Sequence, residues 1–299
     1  MPGTIHSIIT SALAGYKPYQ DFRRGRATLQ EYVAVLNGHE AEMAALGLNR
    51  DQSHLSGRGP LDEAAFVDGI LADLVARGTI PAMGYDKAAF LAYRAQVQRD
   101  FSHGSYSTYI FPEEERLVYA LAEILRPTSA GVFGSYYGYW GVWMLPAIAR
   151  ANGHVVYLDI DQKVNDLGKA NVERLGFGRH CTFVTSDAVA YLERTATTYD
   201  FALVDAEGPE EHADPDYRKK YIYYPIFKAS LPRLAPKAVV AVHNVLLSNL
   251  ADDRYFAERI IANRQYFHKL TPLLESAFDP RSDYPTSEGV GVYRRSAPR

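Results

Sequence analysis

Up to about residue 127 the apolar positions recur at three-to-four spacing, the period of helices that bury one face. "TLQEYVAVLNGHEAEMAAL" opens with Thr28 three residues ahead of Glu31, the spacing of a capping box. "LDEAAFVDGILADLVARG" closes on Gly78, "DKAAFLAYRAQVQRD" opens on Asp86, and "PEEERLVYALAEIL" runs from Pro112 to a stop at Pro127. From residue 130 the rhythm changes. Short β-branched-rich runs ("AGVFG", "HVVYLDI", "CTFVTS", "DFALVDA", "AVVAVHN") alternate with helical stretches, and no hairpin turn links them. That alternation predicts an α/β protein with a parallel sheet covered on both faces. Near the C-terminus, "FHKLTPLLESA" and "GVGVYRRS" are expected to form a closing strand pair.

Composition narrows the function. The 299 residues can bury a substantial core, and with 47% hydrophobic residues, 22% charged residues and a net charge of −3 there is no basic excess. Nucleic-acid binding is therefore not expected. The longest apolar runs, such as "GVWMLPAIA", fall short of a membrane span, and the N-terminal apolar stretch has no basic leader. A cytoplasmic protein with no membrane partner is the expectation. The lone cysteine, Cys181, excludes an intrachain disulfide and a Cys-based zinc cluster. Tyrosine is abundant, at 22 residues, several of them clustered.

In an open parallel sheet, ligands bind beyond the carboxyl ends of the strands. The first strand runs into "VFGSYYGYWGVWM", where Gly134, Gly138 and Gly141 bend the backbone among aromatic residues. The second ends "YLDID", placing Asp159 where a carboxylate can accept ribose hydroxyls, beside Ile160 and Asp161. The third ends in Ser186, Asp187 and Ala188, the fourth in Asp205, the fifth in His243 and Asn244. Asp187 reads equally as the N-cap of the next helix, His243 as a satisfied buried histidine, and Glu207–Lys220 as a solvated loop or a substrate lid. Together these residues point to a nucleoside-type ligand. Tyr136 and Tyr137 between the first two glycines would obstruct a pyrophosphate, so a ligand without phosphates is expected. S-adenosylmethionine is one, and its sulfonium is attracted by aromatic faces.

With these motifs, residues 112–247 resemble the class I S-adenosylmethionine-dependent methyltransferases, closest to the catechol and caffeoyl-CoA O-methyltransferase group. The matching residues are Gly134-Ser135-Tyr136-Tyr137-Gly138-Tyr139-Trp140, Asp159, Ser186-Asp187-Ala188 and His243-Asn244-Val245. The resemblance implies a Rossmann-like, seven-stranded sheet, mostly parallel with an antiparallel last strand "GVGVYRR". Residues 112–299 would bind the cofactor, and a helical region, residues 1–111, would cap the acceptor pocket. It also implies a small-molecule acceptor, and dimers are common in the group. A divalent metal would be held at Asp205, His243 and Asn244.

Departures from the pattern shape the expected chemistry. Histidine at 243 replaces an aspartate, which weakens the case for Mg²⁺, a hard ion preferring oxygen ligands. The group's catalytic lysine falls on Gly208, and the nearest substitutes are Lys219 and Lys220. Val132 and Trp140 stand where the methionine end is normally gripped. The first expectation is a methyltransferase acting on an oxygen without a metal, with His243 as general base at an ordinary pKa and with Asp205 and Tyr137 at the reacting centre. Tyrosines of "YRKKYIYYP" and "GSYSTYIFP" would line the acceptor pocket. The alternative is attack at the γ-carbon of the same cofactor, releasing methylthioadenosine, with Tyr136, Tyr137, Tyr139 and Trp140 as a cage for the sulfonium. A third is a non-catalytic S-adenosylmethionine-binding module.

Overall fold

The computed structural model of the chain describes residues 3–245, 268–280 and 282–296. Its centre is a sheet built from β3 (Ser129–Phe133), β4 (His154–Asp159), β5 (Cys181–Thr185), β6 (Tyr199–Val204), β7 (Leu234–His243), β8 (Asp283–Tyr284) and β9 (Val290–Arg294). The spatial order is β5-β4-β3-β6-β7-β9-β8. The pairs from β5 to β7 are parallel, whereas β9 runs antiparallel to β7 and to β8. This is the Rossmann-like methyltransferase sheet expected from the sequence.

Alternate residues of the central strands enter two cores. Val132, Phe201, Leu203, Val239 and Ala241 pack on one face, and Phe133, Ala202, Val204, Val240 and Val242 on the other. Both faces are buried, so these strands read as continuous apolar runs. The chain winds outward from β3 to β5, then returns to the other side of β3 at β6. The crevice between the ends of β3 and β6 is thus a topological switch point, the preferred place for a ligand in such a sheet.

The expected helices form, with Thr28 and Glu31 completing a capping box and Asp62 and Asp86 acting as N-caps. One expectation is corrected at the C-terminal end. Leu270–Ala277 is a helix with Leu270 and Leu274 buried, so the strand that joins β9 is the short β8 (Phe267 lies outside the described residues). A four-residue repeat of apolar contacts suits a helix better than a strand. No helix among the described residues is long and apolar enough to cross a membrane.

The N-terminal helices are fastened to the sheet by charge as well as by packing. Arg94 forms a fork with Glu63, at 2.9 and 2.8 Å, and lies 3.1 Å from Glu115 on the helix Pro112–Leu125. A two-residue parallel pairing joins β1 (Gly3–Thr4) to β2 (Ser107–Thr108).

Candidate active site

The turn after β3 is shaped by close approach. Gly134 has φ +79°, and a Cβ there would lie 2.3 Å from the Cα of Ala206, beyond β6. Only glycine lets the two strand ends pass this closely. The amides of Gly134 and Ser135 both donate to the carbonyl of Leu158, at 3.0 and 2.9 Å. Tyr136, at φ +49°, then points its amide to Asp159 Oδ2 at 2.8 Å, while the amide of Asp161 donates to Oδ1 at 3.0 Å. Asp159 is fixed at the strand end, and its burial lifts the carboxyl above its usual pKa despite these bonds. Asp161 caps the following helix through Lys163. Asp187 both caps its own helix, through the amide of Ala190 at 2.8 Å, and lines the cavity beside Ser186 and Ala188.

The aromatic residues of the turn do not form the expected cage. Tyr136 lines the cavity, but Tyr137, Tyr139 and Trp140 are buried and take no part in its wall. Tyr137 is fully buried with its hydroxyl 2.9 Å from His103 Nδ1, so its placement at the reacting centre is corrected. Tyr139 donates to Glu115 at 2.7 Å. Large rings followed by a tight turn gain more by filling the core beneath the sheet than by walling a ligand. Gly138, at φ +83°, and Ser135 act through the backbone, joined by a 2.8 Å hydrogen bond. Trp140 keeps one link to the site, its ring centroid 5.2 Å from that of His243.

At the other end of the crevice a chain of buried charges assembles. His243, 2% exposed, sits between two carboxylates: Nε2 is 3.1 Å from Glu114 Oε2, and Nδ1 is 3.3 Å from Asp205 Oδ2 and 3.1 Å from Asn244 Oδ1. Every partner is an acceptor, so both ring nitrogens must carry protons. Burial would lower the pKa of His243, but the charges of Asp205 and Glu114 outweigh it and lift the imidazole well above its ordinary value. The expectation of His243 as general base at an ordinary pKa is therefore corrected: it is an imidazolium with no lone pair to offer. Glu114 also accepts from Phe111 N, Thr286 Oγ1 and Glu288 N, at 2.9, 2.7 and 3.0 Å. Glu288 accepts from Asn244 Nδ2 at 3.0 Å and lies 3.6 Å from Arg58.

Asp205 is the hinge of this network. On its far side Lys220 Nζ donates to Oδ1 at 2.9 Å and to the carbonyl of Ala206 at 3.2 Å. Burial works against the charge of Asp205, yet Lys220 and His243 prevail and hold the carboxyl well below the usual carboxylate range. The Asp205, His243 and Asn244 side chains do converge, but they do not suit a metal ion. The histidine presents N–H groups rather than a lone pair, and an ammonium already occupies one oxygen of Asp205. Among the described residues no group of three His, Cys, Asp or Glu side chains is arranged to hold a metal.

Sequence reasoning missed Glu114, Glu288 and Asp51. Glu114 reads as an ordinary acid at a helix N-terminus, and Glu288 follows "PTS" in a polar turn. They form one site through contacts that no local pattern announces. Asp51 and Glu288 border a cavity of about 1030 Å³, while Glu114 lies behind its wall. Asp159, Ile160 and Ser186–Ala188 line one end, Asp205, Lys220, His243 and Asn244 the other, and Asp51, Tyr109, Ile110, Glu207, Tyr217, Lys219 and Ile222 are among the residues of the remaining wall.

The profile of a methyltransferase domain matches residues 132–245, the span from β3 to the end of β7. Among solved structures, an S-adenosylhomocysteine-bound methyltransferase of Podospora anserina shares 16% identity at a TM-score of 0.51, over 75% of this chain and 95% of that one. A caffeoyl-CoA O-methyltransferase-like protein of Staphylococcus aureus shares 14% identity at a TM-score of 0.50, over 77% and 99%. At these identities the likeness concerns the fold. No curated protein matches the chain. Gly134, Asp159, Asp187, Asp205 and His243 all fall within the matched span, so the strand ends that form the site belong to the part of this Rossmann-like sheet that is similar to a methyltransferase domain.

Proposed function

We propose that the chain transfers a methyl group from S-adenosylmethionine to an oxygen atom of a small acceptor molecule. The observation that carries this reading is the continuity of the cavity. One space reaches from a fixed carboxylate at the end of β4 to a cluster of cations at the ends of β6 and β7. Its volume, about 1030 Å³, lies at the upper end of the usual range for small-molecule sites and has room for a cofactor with an acceptor beside it.

The residues present suit S-adenosylmethionine. Asp159 has oxygen lone pairs left for ribose hydroxyls, the apolar Ile160 and Ala188 flank the place of a base, and the Gly134 turn admits a ligand close to the backbone. The bound cofactor supplies an electrophilic methyl group on a sulfonium. In this reading residues 112–299 bind it, and residues 1–111 serve as the cap, contributing Asp51 and the segment Ser107–Ile110 to the wall. Lys220 and His243 face the acceptor end as cations. The γ-carbon reading drew on a cage of four aromatic residues, of which only Tyr136 lines the cavity.

Incubation with S-adenosylmethionine, with and without a panel of phenolic acceptors, tests the proposal through the sulfur product. S-adenosylhomocysteine that appears only with an acceptor is the expected result. Methylthioadenosine, or S-adenosylmethionine binding without turnover across the panel, would overturn it.

A further inference from the structure

The three side chains that would hold a divalent metal are already engaged within the protein. Asp205 Oδ1 accepts from the Lys220 ammonium at 2.9 Å, and Oδ2 faces the imidazole of His243 at 3.3 Å. The ammonium is itself held by the Ala206 carbonyl at 3.2 Å and by the ring of Tyr223, 5.3 Å away. Asn244 Nδ2 donates to Glu288 Oε2 at 3.0 Å, which turns the amide oxygen towards His243 Nδ1 at 3.1 Å. The oxygen of Asn244 thus accepts from the ring instead of facing a metal.

The other ring nitrogen meets a carboxylate that has no room for a proton of its own. Glu114 Oε2 accepts from the amide of Phe111 at 2.9 Å, and Oε1 from Thr286 Oγ1 at 2.7 Å and the amide of Glu288 at 3.0 Å. His243 Nε2, at 3.1 Å, supplies the fourth donor for four lone-pair positions. Glu114 and His243 are both buried, and the buried indole of Trp140 lies 5.2 Å from the imidazole, where a cation is favoured.

We infer that the imidazolium of His243 is a resident cation in the place of a divalent metal at the ends of β6 and β7, and that the closed shell around it makes the site indifferent to Mg²⁺ and Mn²⁺. Two carboxylates, Asp205 and Glu114, meet two cations, Lys220 and His243, and the charges cancel. Glu288 is matched separately by Arg58 at 3.6 Å. No net negative charge is left to draw a dication, and Mg²⁺ would have to gather oxygens that already have donors on them. A single residue sets this balance. Aspartate at 243 would leave three carboxylates against one ammonium, a shortfall of two positive charges at a buried site, where uncompensated charge is costly. A divalent ion would meet that shortfall. The inference concerns the resident charge and holds whichever reaction the chain performs.

The full-length protein, stripped with EDTA, is melted with and without MnCl₂, and its histidine ring nitrogens are recorded by ¹⁵N NMR. At about pH 8 an unperturbed imidazole is neutral. The expected spectrum contains one ring with both nitrogens protonated, lost in His243→Asn and unmoved by Mg²⁺. Millimolar Mn²⁺ should move the Tm of the wild type by less than about 1 °C and raise that of His243→Asp by roughly 3 °C or more. Adding Asp205→Asn to His243→Asp should remove that response. An equal Mn²⁺ response in the wild type and His243→Asp, or a His243 ring with one bare nitrogen, would each overturn the inference. The spectrum is read on the unaltered protein, so it decides the matter even where His243→Asp does not fold.

Discussion

The backbones of Gly208 and Lys219 pair with each other: the amide of Gly208 donates to the carbonyl of Lys219 at 3.0 Å, and the amide of Lys219 donates back at 3.2 Å. This clasp closes the segment between them and delivers the next residue, Lys220, to Asp205. Lys220, twelve residues after Gly208, thus reaches Asp205 from the far side of a loop. Lys219 adopts φ +47° to make the turn.

Glycine is required at the clasp, because a Cβ at 208 would lie 1.8 Å from the carbonyl oxygen of Tyr217. Gly208→Ala should displace Lys220 and reduce acceptor turnover by roughly 10²-fold, the scale of an ångström-sized misplacement. Binding of S-adenosylhomocysteine, measured by calorimetry, should stay within about twofold. An equal loss of both would place the clasp in the cofactor site instead.

His243 is expected to matter for stability as well as for chemistry. His243→Leu leaves Asp205 and Glu114 facing each other across a buried space without their shared cation. Breaking a buried ion pair from one side costs about 3–5 kcal/mol. Urea unfolding at neutral pH should show a loss of that order; less than about 1 kcal/mol would mean that the histidine is neutral.

Thermal stability should fall as pH rises from about 5 to 8. Burial, reinforced by the charge of Glu114, pushes Glu113 up to about 7. A folded-state value raised above the unfolded one means stability that is complete below about 4.5 and is lost as pH rises through about 7. His243 has the same sign, with its loss beginning only above its ordinary value of 6.5. Glu113→Gln, which can still accept from Ser287, should flatten the curve between pH 4.5 and 7 by roughly 2–4 °C or more. An unchanged slope would show that Glu113 is ionised throughout.

Asp159→Ala should weaken S-adenosylhomocysteine binding by about 1–3 kcal/mol, roughly five- to 150-fold. Calorimetry on the purified protein checks this, and unchanged affinity would remove Asp159 from the cofactor site.

Legibility in the sequence followed distance along the chain. The five parallel strands, the Gly134 turn and the carboxylates at strand ends are local patterns, so alternation and turn chemistry were enough to find them. The role of His243 was not legible, because its protonation is set by Glu114, far away in sequence and hidden on a helix whose first-turn acids look like ordinary dipole partners. Lys220 could be named as a substitute but not placed, since only the Gly208 clasp brings it to Asp205. The aromatic residues misled for a different reason. Tyr137, Tyr139 and Trp140 sit next to the ligand turn in sequence, but the turn aims them into the core.

The wall of the cavity is drawn from both ends of the chain. Asp51 reaches it from the early helices, Ser107 and Thr108 are held by pairing with Gly3 and Thr4, and the buried Arg58–Glu288 pair joins the early helices to the turn before β9. No stretch of sequence can fray there without opening the pocket. Whatever binds inside it acts as a cross-link between the beginning and the end of the polypeptide. Occupancy and the folding of the whole chain are then one coupled equilibrium, and a ligand concentration can be read directly as a melting temperature.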